Sequence, residues 1–416
     1  MSALEPVYRS RPGAEDIEGA NALAAEQVHP GIWMSPGLSN SFLITTTDGR
    51  IVVNTGMAFE APVHRANYDA VDTSPIHSVI FTQGHYDHVG GVDVLRDPGT
   101  EVIAQANWAD WRRDNETLAP FRASNAGFAW AAKTRASAAH TVERFGGPLP
   151  TQGRPEPTLV FDDSLELSIG GRRLELISTP GAETTDSLVI WLPDEGVCLC
   201  GNVFGALFGH IPNLVTLRGD RYRDVGVVID TFERIRSLGA EVLLPGHFGP
   251  ITGRERIDWE ISRMCAALTY IHDETVKGMN AGVDVQTLMR EVTLPPELEV
   301  GEGYGKVSWN VRAIWENYAG WFHHRSTTEL YPFDPLSVTA DLYAAVGVEP
   351  AIKRAEELLL SQDSVRAIAL AESVLAVEPE NPRASSVLVE AHRRLLSESS
   401  NFWESAWLNK QIEANS

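Results

Sequence analysis

Short apolar runs separated by turn residues dominate the chain from residue 41 to residue 244. Residues 41–47 and 51–54 flank Asp48-Gly49-Arg50, a pattern typical of a β-hairpin. Further strands are predicted over residues 78–82, 102–104, 159–161, 165–169, 173–178, 187–192, 196–200 and 241–244. A helical pattern is confined here to residues 107–113 and 224–238. The pattern therefore predicts a strand-rich domain with few helices.

The strand pattern nearly disappears after residue 254, and helices replace it. They are predicted over residues 257–278, 284–291, 308–322, 338–346, 349–361, 364–377, 382–396 and 401–410. Residues 349–396 are similar to a tetratricopeptide unit, which cannot bury both of its faces alone. We therefore predict an α+β chain with three parts: an irregular N-terminal arm or short helix over residues 1–29, a strand-rich domain over residues 30–285, and an all-α domain over residues 286–416.

An aromatic segment lies between residues 105 and 145. It contains Trp108, Trp111, Phe121, Phe128 and Trp130 among Ala, Asn and Arg residues. Such a segment serves either for packing or as an apolar lid over a pocket, and the sequence favours neither interpretation.

The charge balance limits the partners of the protein. The chain has 34 basic and 56 acidic residues and a net charge of −22. Nucleic acid and anionic membrane surfaces are therefore excluded as main partners. Any anionic substrate needs a local basic group to bind against this field.

The cysteines and the N-terminus indicate a cytoplasmic protein. Three cysteines cannot form a disulfide framework, and Cys198 and Cys200 are expected to be reduced core residues. The first residues lack the basic start and apolar run of a leader, and no apolar stretch reaches the ~18 residues of a membrane span.

The densest chemical signal is the segment from Thr82 to Gly91, TQGHYDHVGG. His85, Asp87 and His88 lie within four residues at the end of a predicted strand. Imidazole and carboxylate groups suit Zn²⁺, Fe or Mn²⁺. The alternative is an ordinary polar loop, which a lone histidine would favour but this full string does not.

The string resembles the H-x-H-x-D-H metal loop of the metallo-β-lactamase superfamily. Residues 179–188, with the sequence TPGAETTDSL, resemble its next ligand segment. Gly201-Asn202 lies where the family usually has Gly-Asp, and Pro245-Gly246-His247 resembles the final ligand turn. The resemblance implies an αββα sandwich with the metal site at one edge of the sheets.

A narrower resemblance is to the alkyl sulfatases of this superfamily, which hydrolyse long-chain sulfate esters. Glu183 matches the glutamate of their T-P-G segment, and residues 213–219, NLVTLRG, resemble their sulfate-contact segment. This implies that Asn213, Thr216 and Arg218 bind substrate. Residues 304–322 resemble the start of their dimerisation domain. A homodimer through the C-terminal helices and a small-molecule substrate are therefore implied.

Three positions depart from the family pattern. Gln83 replaces a histidine ligand, Asn202 replaces a bridging carboxylate, and Asn54 replaces a supporting aspartate. An amide oxygen is a weak, neutral donor, so both metal positions lose strength.

The resemblance implies two metal positions of unequal quality. Asp87, His88 and His247 form the better one, which leaves a place for water and is expected to hold one zinc ion. His85, Glu183 and Gln83 form the other, with Asn202 at the bridge. This second position is expected to be weak or to prefer Mn²⁺ or Fe.

Three functions stay open at this point. In the first, a metal-activated water orientated by Asp87 hydrolyses a sulfate ester, and His210 is either a ligand, a proton donor or an ordinary loop residue. In the second, the same fold hydrolyses a lactone, an ester or a phosphodiester. In the third, the chain is a metal-poor pseudo-enzyme that binds a ligand.

Overall fold

The computed structural model describes residues 4–416. The chain divides into two compact units, one ending at Asn317 and the other spanning Tyr318–Ser416. The predicted boundary at residue 285 was drawn from composition, whereas these units are defined by their internal contacts.

The first unit contains a mixed seven-stranded sheet in sequential order. Its strands are β1 (Glu26–His29), β2 (Ile32–Ser35), β3 (Ser41–Thr46), β4 (Gly49–Val53), β5 (Ile76–Ile80), β6 (Glu101–Gln105) and β7 (Leu159–Phe161). Strands β1 to β4 pair antiparallel, and β4 to β7 pair parallel. The predicted hairpin is β3–β4, in which Thr46 pairs with Gly49.

The second sheet has six strands. They are β8 (Ser164–Ile169), β9 (Arg172–Ser178), β10 (Leu188–Leu192), β11 (Val197–Gly201), β12 (Val242–Pro245) and β13 (Ile251–Thr252). All neighbours are antiparallel except β11 and β12. A positive φ at both residues of the turn explains why Gly170 and Gly171 join β8 to β9.

Helices complete the first unit. They are α1 (Ala61–Asp69), α2 (Tyr86–Val89), α3 (Trp108–Thr117), α4 (Ala119–Phe145), α5 (Val225–Ser237), α6 (Arg254–Asn280), α7 (Val285–Glu291) and α8 (Val307–Ala319). One core joins the two sheets, with Ile44 and Ile80 from the first and Leu176 and Ile190 from the second. A second core includes Val52 and Val79 of the first sheet and Ala61 and Tyr68 of α1. The predicted αββα class is confirmed.

Two predictions for this unit were incomplete. The predicted arm over residues 1–29 contains two short 3₁₀ turns and the edge strand β1; its residues 1–3 lie outside the described residues. The sequence of β1, EQVH, is polar and half exposed, so its apolar pattern is weak. The other omission was α4, a 27-residue helix within the aromatic segment.

The second unit is all-helical, as predicted. Its helices are α9 (Thr339–Val346), α10 (Glu349–Leu360), α11 (Ser364–Leu375), α12 (Pro382–Glu398) and α13 (Phe402–Asn415). Small and aliphatic side chains, including Ala355, Ala367 and Ala384, form the core shared by α10, α11 and α12. Within residues 4–416, no helix is both long and apolar enough to cross a membrane.

Candidate metal and anion site

The loop after β5 is held in place by Asn54 at the end of β4. Asn54 has a left-handed φ of 58°, and its Oδ1 accepts a hydrogen bond of 2.9 Å from the Thr82 backbone N–H. A Cβ atom at Gly91 would lie 2.3 Å from the Thr55 carbonyl oxygen, so only glycine allows this close approach. The amide at residue 54 and the glycine therefore fix the segment that carries the histidines.

Asp87, His88 and His247 bring their ligand atoms within 4.8 Å of one another. Asp87 and His88 belong to α2, and His247 follows β12, so the two sheets contribute to the same edge. The Oδ2 atom of Asp87 lies 3.5 Å from Nε2 of His88. This is the group that the sequence predicted as the better metal position.

The protonation states of these three side chains suit a divalent cation. Burial lowers the pKa of His88 to about 3 and also lowers the pKa of His247, so both imidazoles keep a lone pair at neutral pH. Burial opposes ionisation of Asp87, but its electrostatic interactions with the neighbouring histidines and with Arg218 hold the pKa of this carboxyl below its ordinary value. Two neutral imidazoles and one carboxylate fit zinc and leave a coordination place for water.

Asn202 lies at the end of β11, beside this group. Its Nδ2 is 3.3 Å from Nε2 of His88 and 3.2 Å from Nε2 of His247. Its Oδ1 is buried and has no hydrogen-bond partner among the described residues. The amide therefore lies beside both imidazoles but carries no charge to attract a second cation.

The other predicted metal position is occupied by the protein's own hydrogen bonds. Gln83 Nε2 lies 2.9 Å from Nδ1 of His85, and Arg218 Nη2 lies 3.2 Å from Nε2 of the same ring. Glu183 Oε2 pairs with Arg223 Nη2 at 3.2 Å, while its Oε1 is 3.9 Å from Nδ1 of His85. A metal ion at this position would have to displace the Gln83 amide and the Arg218 guanidinium from His85, and the Arg223 guanidinium from Glu183.

A cavity of 260 Å³ opens onto these groups. The polar side chains that line it include His85, Asp87, Glu183, Asn202, Arg218 and His247. Its apolar lining comes from Leu38, Met57, Ala206 and the α4 residues Ala119, Ala123, Ala126 and Trp130. The cavity therefore combines charged side chains that suit an anionic group with an apolar surface that suits an apolar group.

The aromatic segment contributes both to the cavity lining and to core packing. Trp130 lines the cavity. Trp108 is buried and stacks on Phe81 with ring centroids 5.5 Å apart, as expected of core packing. The rings of Trp111 and His85 pack in a T-shaped arrangement with their centroids 5.4 Å apart.

Three predicted residues do not line this cavity. The ring of His210 packs against Tyr8, and its Nδ1 accepts a hydrogen bond of 2.9 Å from the Gly303 backbone N–H. Burial lowers the pKa of His210 to about 4. Asn213 and Thr216 are buried, and their side-chain polar atoms find no partner within residues 4–416. Arg218 is thus the predicted substrate residue that the structure brings to the cavity.

Among the cavity-lining residues that sequence reasoning missed are Arg122 and Tyr304. Burial raises the pKa of the Tyr304 phenol to about 12, so it stays protonated at neutral pH. Tyr304 lies in a segment that was assigned to the helical domain, and Arg122 lies in the unpredicted α4. The sequence offers one signal for Arg122: it is a basic residue in a segment whose alanines recur at helical spacing.

Two family models match the chain. The model of the metallo-beta-lactamase superfamily matches residues 34–247, and that of alkyl sulfatase dimerisation matches residues 285–415.

Similar proteins extend these matches. A linear primary-alkylsulfatase from a Pseudomonas strain is 28% identical over 89% of this chain and 73% of its own length. An alkyl/aryl-sulfatase of Saccharomyces cerevisiae is 23% identical over 90% of this chain, which spans 61% of that relative. A solved stereoselective inverting sec-alkylsulfatase from Pseudomonas superimposes with a TM-score of 0.81 and 20% identity, covering 95% of this chain and 66% of that one. The chain belongs to the metallo-beta-lactamase superfamily, and its C-terminal part carries an alkyl sulfatase dimerisation domain.

Proposed function

We propose that this protein is a metal-dependent hydrolase of sulfate esters that carry an apolar tail. The observation that carries the proposal is one cavity in which Arg218 lies beside the ligand group Asp87, His88 and His247. The α4 wall supplies the apolar surface that an alkyl chain needs. A sulfate monoester combines the negative charge and the tail that these two sets of side chains would bind.

The proposed resident metal is a single zinc ion. Asp87, His88 and His247 would hold it, and when bound it would activate a water molecule for attack. The hydrogen bonds that occupy Gln83, His85 and Glu183 argue against a second ion. Asn202 supports the same conclusion, since an amide cannot provide the bridging negative charge.

The protein's own side chains would bind and orientate the ester. The guanidinium of Arg218 presents several N–H donors in one plane, which matches the oxygens of a sulfate group. Its positive charge would act locally, against the net charge of −22. Tyr304 would present a protonated phenol to the same cavity.

The named relatives support this substrate class. The first two compared in sequence are described as alkylsulfatases or alkyl/aryl-sulfatases. This chain is 28% and 23% identical to them and spans 73% and 61% of their lengths.

A hydrolysis screen of purified, zinc-loaded protein tests the proposal. It compares alkyl sulfates of several chain lengths with lactones, carboxylic esters and phosphodiesters. We expect sulfate release from the alkyl sulfates and a rate that depends on chain length. Faster hydrolysis of a lactone, ester or phosphodiester would favour the second function, and metal below ~0.1 per chain after zinc loading would favour a pseudo-enzyme, because a catalytic zinc site should be filled.

We also propose that the protein is a homodimer assembled through its C-terminal helical domain. The match of residues 285–415 to the alkyl sulfatase dimerisation family supports this. Exposed large apolar side chains in the second unit, such as Trp321, Leu342 and Val346, would be covered by such an interface. Light scattering at micromolar concentration should give twice the chain mass of 45.6 kDa, and a monomer would contradict the proposal.

A further inference from the structure

Arg122 lies on α4, outside every motif that the sequence presented. Its side chain is 19% exposed and lines the cavity together with Arg218. It also lies over the Trp111 ring, with its Cζ 6.0 Å from the ring centroid. The cavity therefore contains a second guanidinium, contributed by the helix that forms its apolar wall.

Asp220 links the two arginines through its two carboxylate oxygens. Its Oδ1 lies 3.3 Å from Arg122 Nη2, and its Oδ2 lies 3.9 Å from Arg218 Nη2. The carboxylate is 11% exposed, so water screens these pairs less than pairs at the surface. Asp220 thus holds one guanidinium on each side of itself.

The two guanidinium groups share the single carboxylate of Asp220. The charge of Asp87 also acts on Arg218, but this carboxylate would be engaged by the bound metal ion, which leaves positive charge in excess. The nearby Glu183 does not cancel it, because Glu183 pairs with Arg223 at 3.2 Å. Burying an uncompensated charge is costly, so the arrangement favours a bound anion with a single negative charge.

The donors of Arg122 also point to a ligand. A guanidinium has five N–H donors. The contacts with Asn115 Oδ1 and Asp220 Oδ1 engage Nη1 and Nη2. These two contacts fix the plane of the group and use only part of its donors, so N–H groups remain for oxygen atoms in the cavity.

We propose that Arg122 is a second substrate-binding cation, which together with Arg218 clamps the sulfate group of the ester. This inference rests on the proposed function and adds to it that the headgroup is bound jointly by Arg218, in the segment of residues 213–219, and by α4. Because α4 also supplies apolar residues to the cavity lining, one helix would contact both parts of the substrate.

Binding of inorganic sulfate to the zinc-loaded protein, measured by calorimetry, tests the clamp without catalysis. Arg122→Gln should raise the dissociation constant of sulfate about tenfold to a hundredfold, since a charge-assisted hydrogen bond contributes roughly 1.5–3 kcal/mol. Arg122→Lys keeps the charge but loses the planar fork, so it should lie between Arg122→Gln and the wild type. Arg135→Gln, an exposed position on the same helix, should bind sulfate as the wild type does.

Kinetics with an alkyl sulfate provide the second measurement. Arg122→Gln should raise KM by a similar factor and lower kcat less, whereas general damage to the fold would lower kcat and the helical circular dichroism signal together. If that signal falls in Arg122→Gln, the Arg122→Lys variant decides the test. Wild-type sulfate affinity in Arg122→Gln, or equal affinities for the wild type and Arg122→Lys, would overturn the clamp.

The two proposals fail in different ways. If the wild type hydrolyses alkyl sulfates and Arg122→Gln binds sulfate normally, only the clamp is wrong. If the wild type binds sulfate through Arg122 but releases none from alkyl sulfates, the proposed function is wrong and the anion site stands.

Discussion

The side-chain amide nitrogen of Asn202 lies 3.2 Å from Nε2 of His247. In most metal sites such an imidazole nitrogen gives its lone pair to the ion, whereas here an N–H group points at it. Zinc binding must therefore replace this hydrogen bond. A carboxylate at residue 202 would instead attract the ion, so we expect Asn202→Asp to strengthen metal binding.

Gln83→His should raise the metal content above that of the wild type. An imidazole is a far better zinc donor than an amide, with Zn–N bonds of ~2.0–2.1 Å. Turnover of alkyl sulfates should improve clearly only when Asn202→Asp is added, because paired ions need a bridging anion to hold them in place. We would measure metal content by elemental analysis, and turnover of alkyl sulfates, for four proteins. They are the wild type, the two single variants and the double variant. A double variant with no more metal than the wild type would show that these residues are not at the metal positions.

His247→Ala should remove most of the bound zinc and abolish hydrolysis, because the remaining pair of Asp87 and His88 is too few for a catalytic zinc site. His210→Gln is the matched control, since this buried histidine does not line the cavity. It should keep the wild-type zinc content by elemental analysis. Full metal retention by His247→Ala would contradict the assignment of the site.

Ala123→Leu should shorten the alkyl chain that the enzyme prefers. Ala123 lines the apolar wall, so a larger side chain there would fill part of the 260 Å³ cavity. The kcat/KM for a long primary alkyl sulfate, divided by that for a short one, should fall about tenfold. This is the effect expected when contacts of the alkyl tail that contribute ~1–3 kcal/mol are lost. Ala132→Leu, at an exposed position of the same helix, serves as control. An unchanged ratio in Ala123→Leu would exclude α4 as the binding surface for the tail.

His64→Gln should make the free energy of unfolding less dependent on pH in the acidic range. Burial lowers the pKa of His64 from 6.5 to about 3, so between these values the unfolded chain takes up a proton that the folded chain cannot. This lowers the free energy of unfolding by about 1.4 kcal/mol per pH unit as the pH falls through that window. Denaturant titrations between pH 4 and 7 should show a shallower slope for His64→Gln, and the exposed His77→Gln should keep the wild-type slope. Identical slopes for all three proteins would contradict the buried, neutral state of His64.

The sequence predicted the sheets and the metal loop because both depend on local patterns. The β3–β4 hairpin follows from its turn residues, and Asp87 and His88 are adjacent within one short string. His247 could be added because its Pro-Gly-His turn resembles a family motif. Side chains within a motif can therefore be placed from sequence.

The rest of the site depends on contacts between distant segments. His85 lies close to Gln83 in the chain, but nothing in this segment indicates that His85 contacts Arg218. The two residues of that contact are 133 positions apart. Helix α4 carries alanines on the face that lines the cavity, and their small side chains give little hydrophobic periodicity. The weak periodicity of α4 hid Arg122. Its proposed anion-binding role also depends on Asp220, which lies 98 residues further along the chain.

Zinc titration of the metal-free protein, followed by sulfate release from a long-chain alkyl sulfate, tests the central claim most directly. We predict that the rate rises in proportion to added zinc and reaches its plateau at one ion per chain, because one three-ligand position would carry the activity. A plateau at two ions per chain would contradict the single-metal site, and the absence of sulfate release at any zinc content would contradict the proposed function.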